Sequence, residues 1–274
     1  MAYQPSFPQA DAAGSACADA PPITPERPLS LVMPMAGRGS RFARGDVTLP
    51  KPLIELDGKP FFWWATESVR RLSPVGEMVF VVLEEHVGRF AIDAAVHRYY
   101  PDARIVSLPH VTAGAAETAA LGVAALESAG PVALCDSDHG FAAGDTGGLI
   151  ARLRRGTDAA LLCFASSDPA YSYVRLGNDG AVAGTVEKQA VSRFAIAGCY
   201  LFASPQTYLT AYAGYRGDCP YDEFYVSGVY NHLIAGGGRV AKHVLQRHLS
   251  FGTPEELAAV EAAAGSSRLW EPAP

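Results

Sequence analysis

The feature that most constrains the fold of this 274-residue chain is an alternation that begins at Leu29. Short apolar runs (SLVMPM, EMVFVVL, ARIVSLP, PVALC) are separated by longer segments whose apolar residues recur at helical period: PFFWWATESVRRL, EHVGRFAIDAAVHRYY and ETAALGVAALESAG. Strand-length runs without polar alternation are suited to burial on both faces, and helices between them make successive βαβ units. The expected class is therefore α/β, a mixed, mainly parallel sheet with helices on both faces. From about residue 159 the rhythm changes. DAALLCFAS, SYVRL, AVAGTVEK and RFAIAGCYLFA are strand-like, with GNDG at 177–180 as a hairpin turn. SPQTYLTAYAGY and DEFYVSGVYNHLIAGG are expected to be helical, followed by a strand RVAKHVLQ and a last helix opened by Thr253 and Pro254. Residues 1–28, rich in Ala and Pro and without periodicity, are expected to form a disordered leader, and residues 29–274 one domain.

The charge balance excludes one class of function. With 22 basic and 28 acidic residues and a formal net charge of −6, the chain has no long basic run to neutralise many phosphates, so no nucleic-acid partner is expected. Five cysteines without a CxxC pair suggest neither a zinc knuckle nor a disulfide framework; Cys135, Cys163 and Cys199 lie in apolar runs and are expected to be small core residues. No apolar stretch approaches the ~18 residues of a membrane span, and the first residues lack the order of a signal peptide. A cytoplasmic protein without a membrane partner is expected; oligomeric state stays open, homo-oligomers included.

Against this acidic background, residues 36–51 carry Arg38, Arg41, Arg44 and Lys51 with the single acid Asp46, a local net charge of +3. The segment Ala36-Gly37-Arg38-Gly39-Ser40-Arg41-Phe42 directly follows a predicted strand. Glycines let the backbone approach a ligand, and successive amide N–H groups can point at an anion. Neither a GxGxxG dinucleotide loop nor a GxxxxGK[ST] loop is present. The continuation Leu49-Pro50-Lys51-Pro52 holds one lysine between two prolines, which fixes its backbone.

The composite AGRGSRF…LPKPLIELDGKP resembles the signature of nucleotidyltransferases that activate sugar 1-phosphates and similar phosphorylated small molecules, as in capsule and cell-envelope pathways. Further similarities, in the same order along the chain, extend the resemblance over most of residues 29–261. Thr112-Ala113-Gly114-Ala115-Ala116-Glu117-Thr118 resembles the loop that admits the base, Asp136-Ser137-Asp138 the metal-binding aspartate motif, Glu187-Lys188 the acceptor-holding pair, and FGTPEEL at 251–257 the closing GTPEDL segment. The resemblance implies a Rossmann-like, GT-A-like fold and transfer of an NMP from an NTP to a phosphorylated acceptor with Mg2+. It assigns the nucleotide to Met35, Ala36, Gly37, Arg38, Gly39, Ser40, Arg41, Lys51, Thr112, Gly114, Ala115, Thr118 and Asp136. The acceptor falls to Asp138, Glu187, Lys188, Glu223 and Tyr225, the metal to Asp138 and Asp136, and catalysis to Arg41, Lys51, Asp138 and Lys188.

Each element has a plainer reading. A strand-end aspartate often caps the next turn, Glu187-Lys188 could be a surface pair, and His139 is read as a local hydrogen-bonding residue without a role. One position departs from the family: the second metal acid before the GTxxxL segment is replaced by Ser250. Two rivals stay open, a glycosyltransferase using Asp136-Ser137-Asp138 on a nucleotide sugar and a relative that binds nucleotide without turnover. Neither the base nor the acceptor is legible in the sequence.

Overall fold

The computed structural model describes residues 28–39, 42, 49–146 and 148–271. The expected leader up to residue 27 lies outside the described residues, as do Ser40, Arg41 and Arg44 of the glycine-rich segment.

The chain runs through β1 (Leu29–Pro34), a 3-10 turn (Lys51–Leu53), β2 (Glu55–Leu56), β3 (Lys59–Pro60), α1 (Phe61–Leu72), β4 (Val75–Leu83), α2 (Glu84–Phe90), α3 (Ile92–Tyr99), β5 (Arg104–Leu108) and α4 (Ala115–Ala124). Next come β6 (Val132–Cys135), β7 (His139–Ala142), α5 (Leu149–Arg154), β8 (Ala159–Ala165), β9 (Tyr173–Leu176), β10 (Val182–Val186) and β11 (Phe194–Phe202). The last part holds α6 (Pro205–Asp218), α7 (Val226–Ala235), β12 (Val240–Val244), β13 (Arg247–Ser250) and α8 (Pro254–Ala262).

Nine strands form one sheet along the path β10-β9-β11-β6-β1-β4-β5, with β8 pairing to β11 and β12. β5, β4, β1 and β6 are mutually parallel, and only β10 and β11 run against the other strands of the sheet. The strand period of two sorts the core. Val32, Val79 and Val81 point into the layer of α4, α6 and α7, while Leu31, Met33, Phe80 and Val82 point into that of α1, α3 and α5. Phe62 of α1 is fully buried there, and truncating such a ring to alanine costs about 3–5 kcal/mol.

A third, smaller core joins Phe42, Ile54, Leu56, Phe61 and Trp64 to Phe251, Val260 and Leu269. It ties the segment after the glycine-rich loop to the C-terminal part of the chain. Trp270 stacks on Trp64 at 5.2 Å and donates its indole N–H to the Phe141 carbonyl at 3.0 Å.

Most expected elements are present, including the hairpin of β9 and β10 around 177–180 and the helix opened by Thr253, whose hydroxyl accepts from the Glu256 N–H. The segment 85–100, expected as one helix, is two: Ala91 at φ 49° turns the chain so that Ile92 and Val96 reach the core while His86 stays buried on α2. The helix expected from Asp222 starts only at Val226, because Phe224 spends its backbone on Ala113 and Ala116 across the cleft. The strands β7 and β13, which pair with each other, and the short α5 have no signal in the sequence reading.

Candidate active site

β1 has β4 on one side and β6 on the other, so consecutive crossovers leave it in opposite directions and open a crevice at its C-terminal end. A cleft of 620 Å3 lies there. Met35, Ala36, Gly37, Arg38, Gly39, Lys51, Thr112, Gly114, Ala115, Thr118, Asp136, Asp138, Glu187, Lys188, Glu223 and Tyr225 all line it. These residues come from six separate stretches of the chain. Tyr221 is not among the lining residues but packs its ring against Tyr225 at 5.5 Å.

The loop after β1 enters the cleft with Met35 anchored by its N–H on the Val81 carbonyl at 2.7 Å; Gly37 and Arg38 are exposed. On another part of the lining, Gly114 is the residue just before α4. A side chain there would stand 2.5 Å from the Phe224 nitrogen and 2.6 Å from its oxygen, so only glycine allows the two backbones to approach. The same close contact lets Ala116 N–H donate to the Phe224 carbonyl at 2.8 Å. Glu117 accepts from the Ala113 N–H at 2.7 Å, and the Thr112 and Thr118 hydroxyls meet at 2.6 Å, which fixes the loop before the helix.

Asp136 and Asp138 leave the end of β6. The Asp136 N–H donates to the Gly198 carbonyl at 2.8 Å and the Asp138 carbonyl accepts from Phe251 N–H at 3.0 Å, so this turn is held from both sides. Lys51 Nζ reaches Asp138 Oδ2 at 2.7 Å, uniting residues 87 positions apart. Burial disfavours the charged Asp138 carboxyl, but Lys51, His139 and the Lys51 hydrogen bond together hold its pKa below the usual range. Asp136 behaves oppositely: burial and the neighbouring Asp138 charge outweigh Lys51 and push it up to about 7.

Glu187, half-buried, accepts from Ser172 Oγ at 2.7 and 2.8 Å and from Ser227 Oγ. Burial raises its pKa even so, against both serine hydrogen bonds. Lys188 sits at φ 52° with its ammonium exposed, 2.9 Å from the Tyr225 hydroxyl. Ser250 pairs with His139 across β13 and β7, on the floor of the same cleft.

The sequence reading missed several lining residues. His139 is buried beside Asp138, and its Nδ1 is 2.9 Å from His248 Nε2. Tyr171 and Glu256, joined at 2.7 Å, also line the cleft. The only sequence signal for His139 was its place beside Asp138; Tyr171 lies in a segment without a motif, and Glu256 lies in the FGTPEEL segment, which assigned it no role of its own.

A divalent cation fits the end of β6. Donor atoms of Asp136, Asp138 and His139 all lie within 4.8 Å of one another. Lys51 answers the charge of Asp138, but burial and the neighbouring Asp138 still push the Asp136 pKa up, so the pair calls for more positive charge than one lysine brings.

No curated protein matches the chain in sequence. Solved structures of similar fold include a nucleoside-diphosphate-sugar pyrophosphorylase from Vibrio cholerae RC9, with TM-score 0.72 and 24% identity over 85% of this chain and 99% of that one. A putative glucose-1-phosphate thymidylyltransferase from Bacillus anthracis aligns with TM-score 0.69 and 15% identity over 87% and 96% of the two chains. The inositol-1-phosphate CTP transferase from T. maritima gives 0.67 and 16% over 89% and 98%. At these identities the likeness speaks for the fold. The family assignment comes from the match of residues 31–190, more than half of the chain, to the MobA-like NTP transferase domain. The chain belongs to that family of NTP transferases, and is an enzyme of the nucleotidyltransferase class.

Proposed function

We propose that the protein transfers an NMP from an NTP to a sugar 1-phosphate or similar phosphorylated small molecule, releasing pyrophosphate. The observation that carries this reading is the Lys51–Asp138 pair at 2.7 Å: a proline-flanked lysine beside the glycine-rich loop meets the acid at the end of β6 in one cleft. The similar folds are those of proteins named as a nucleotide-sugar pyrophosphorylase, a thymidylyltransferase and a CTP transferase, which supports phosphorylated acceptors of this size. We place the reaction in the cytoplasm, in synthesis of capsule or envelope polysaccharide precursors.

In this reading the triphosphate lies along Gly37, Arg38 and Gly39, whose backbone N–H groups and cation answer its charge, with Ser40 and Arg41 continuing the loop. The base enters beside Thr112, Gly114, Ala115 and Thr118. A phosphate oxygen of the acceptor attacks the α-phosphorus in line; the new P–O bond forms as the bond to the bridging oxygen breaks, and pyrophosphate leaves with that electron pair. The attacking phosphate is already an anion, so no protein base is needed. Catalysis reduces to positioning and charge neutralisation. Lys51 and Arg41 stabilise the charge that builds on the leaving pyrophosphate, and Lys188 holds the acceptor's phosphate. Glu187, Glu223 and Tyr225 orient its hydroxyls. Asp138 and Asp136 would hold the divalent cation, Mg2+ in the sequence reading, which when bound neutralises phosphate oxygens.

The test is a panel of NTPs crossed with phosphorylated acceptors, read by pyrophosphate release. Turnover is expected for one base and a narrow acceptor class, and Asp138→Asn should abolish it. Consumption of a nucleotide sugar in place of an NTP would overturn the proposal.

A further inference from the structure

We propose that His139 is a third protein ligand of the divalent cation, and that His248 positions it. The inference rests on the reading that Asp138 holds such an ion.

His139 Nε2 stands 3.5 Å from Asp138 Oδ1. That is too long for a good hydrogen bond. It does match two donors sharing one ion, since ligands at ~2.1 Å from a metal are roughly 3.0–3.5 Å apart for angles of about 90–115°. The third donor is also at hand, because Asp136, Asp138 and His139 offer atoms within 4.8 Å of one another.

The ring is held for this task from its other side. His139 Nδ1 is 2.9 Å from His248 Nε2, and the two rings stack at 5.1 Å. His248 in turn lies flat on Phe164 at 3.8 Å. A metal-bound imidazole characteristically donates its second N–H to a fixed acceptor, which selects the tautomer with a free lone pair on the ligating nitrogen. Here His139 Nδ1–H donates to His248 Nε2 and leaves His139 Nε2 as the ligand atom.

Room for the ring comes from Gly198, which sits in the register shift of β11 at φ 64°. A side chain there would come within 2.7 Å of His139 Nε2 and 3.1 Å of Asp136 Oδ2, against the donor atoms themselves. The backbone irregularity thus keeps clear the point on which an imidazole and a carboxylate converge.

The chemical consequence is a choice of metal. An all-oxygen site suits Mg2+, whereas one imidazole among carboxylates raises affinity for transition-metal dications. Mn2+ is expected to bind more tightly than Mg2+, with a nitrogen in its coordination sphere.

The experiment uses the full chain, labelled with 15N at histidine only, with Mn2+ as probe. Pulsed EPR of bound Mn2+ should show a directly coordinated 15N. Titration followed by the free-Mn2+ EPR signal should give a Kd raised more than about tenfold in His139→Asn and about tenfold in His248→Phe, with little change in Mg2+ competition. Bound Mn2+ that requires Asp138 but shows no 15N coupling overturns the role of His139 and leaves the metal reading intact. Mn2+ bound equally well by Asp138→Asn, or not bound by the wild type, overturns both. The label measurement needs no substitution, so a misfolded His139 variant cannot obscure the result.

Discussion

Two lysines line the same cleft, and they are held very differently. Lys51 is confined between Pro50 and Pro52, starts a 3-10 turn, and is paired with Asp138 at 2.7 Å. Lys188 is exposed, is itself a left-handed residue in a loop, and donates from its ammonium to the Tyr225 hydroxyl at 2.9 Å. The floor under Lys51 is a buried turn fixed by β11 and by Phe251; the surroundings of Lys188 are solvent and the edge hairpin of β9 and β10. A charge already paired costs little reorganisation when a polyphosphate arrives. The looser end can accommodate acceptors of different shape. On the proposed function, the contrast predicts chemistry at the Lys51 end and selectivity at the Lys188 end.

The largest effect should come from the chemical end. Lys51→Ala is expected to lower kcat for pyrophosphate release by about 10²- to 10³-fold, as loss of one transition-state donor does, with a smaller change in KM for the acceptor. A Lys51→Ala enzyme with near-normal kcat would erase the contrast. At the other end, Lys188→Ala should raise the acceptor KM by roughly 10-fold while kcat falls less, because a phosphate clamp contributes to binding in ground state and transition state alike. Equal loss of kcat and kcat/KM there would move Lys188 into the chemical group.

A subtler effect separates pairing from catalysis. In the free enzyme Lys51 already neutralises Asp138, so it competes with a divalent cation for the same oxygen. Removing it should tighten Mn2+ binding by a few-fold, about 1 kcal/mol, even though activity is lost. Weaker Mn2+ binding by Lys51→Ala would show that the lysine assists rather than opposes the ion.

The smallest effect concerns pH. Asp136 is raised to about 7 in the folded protein, so the native state keeps a proton that the unfolded chain releases near the ordinary carboxyl pKa. Its contribution to stability is therefore present at low pH and lost as pH rises towards and through about 7. The lowered pKa values of His139 and His248 act in the opposite direction, with stability lost as pH falls. The diagnostic is the difference between variants: with metal chelated, Tm of Asp136→Asn relative to wild type should rise by at least about 2 °C between pH 5 and pH 8. A flat difference would mean that Asp136 is not strained by its neighbour.

Much of the site was legible because its residues cluster in short motifs. The glycine-rich loop, Pro50-Lys51-Pro52, Asp136-Ser137-Asp138 and Glu187-Lys188 are local patterns, and of their described members all but Phe42 and Pro50 line one cleft. His139 was passed over since nothing local distinguishes it; its partner His248 is 109 residues away. Tyr171 lies outside every motif, and Glu256, although inside the FGTPEEL segment, meets it only across 85 residues. Ser250 could be noticed as a departure from the expected acid, but its pairing with His139 through β13 and β7 required two strands without periodicity to meet.

The sequence by itself determined the α/β class, the order of its elements and the residue types that the cleft would need, because strand and helix periods and proline or glycine positions are properties of neighbours along the chain. Only the tertiary structure decided which side chains touch. The Lys51–Asp138 pair, the His139–His248 contact and the approach of Gly114 to Phe224 each join distant segments, and the hydrogen bonds, burial and charge coupling that set their chemistry exist only after the sheet has brought those segments together.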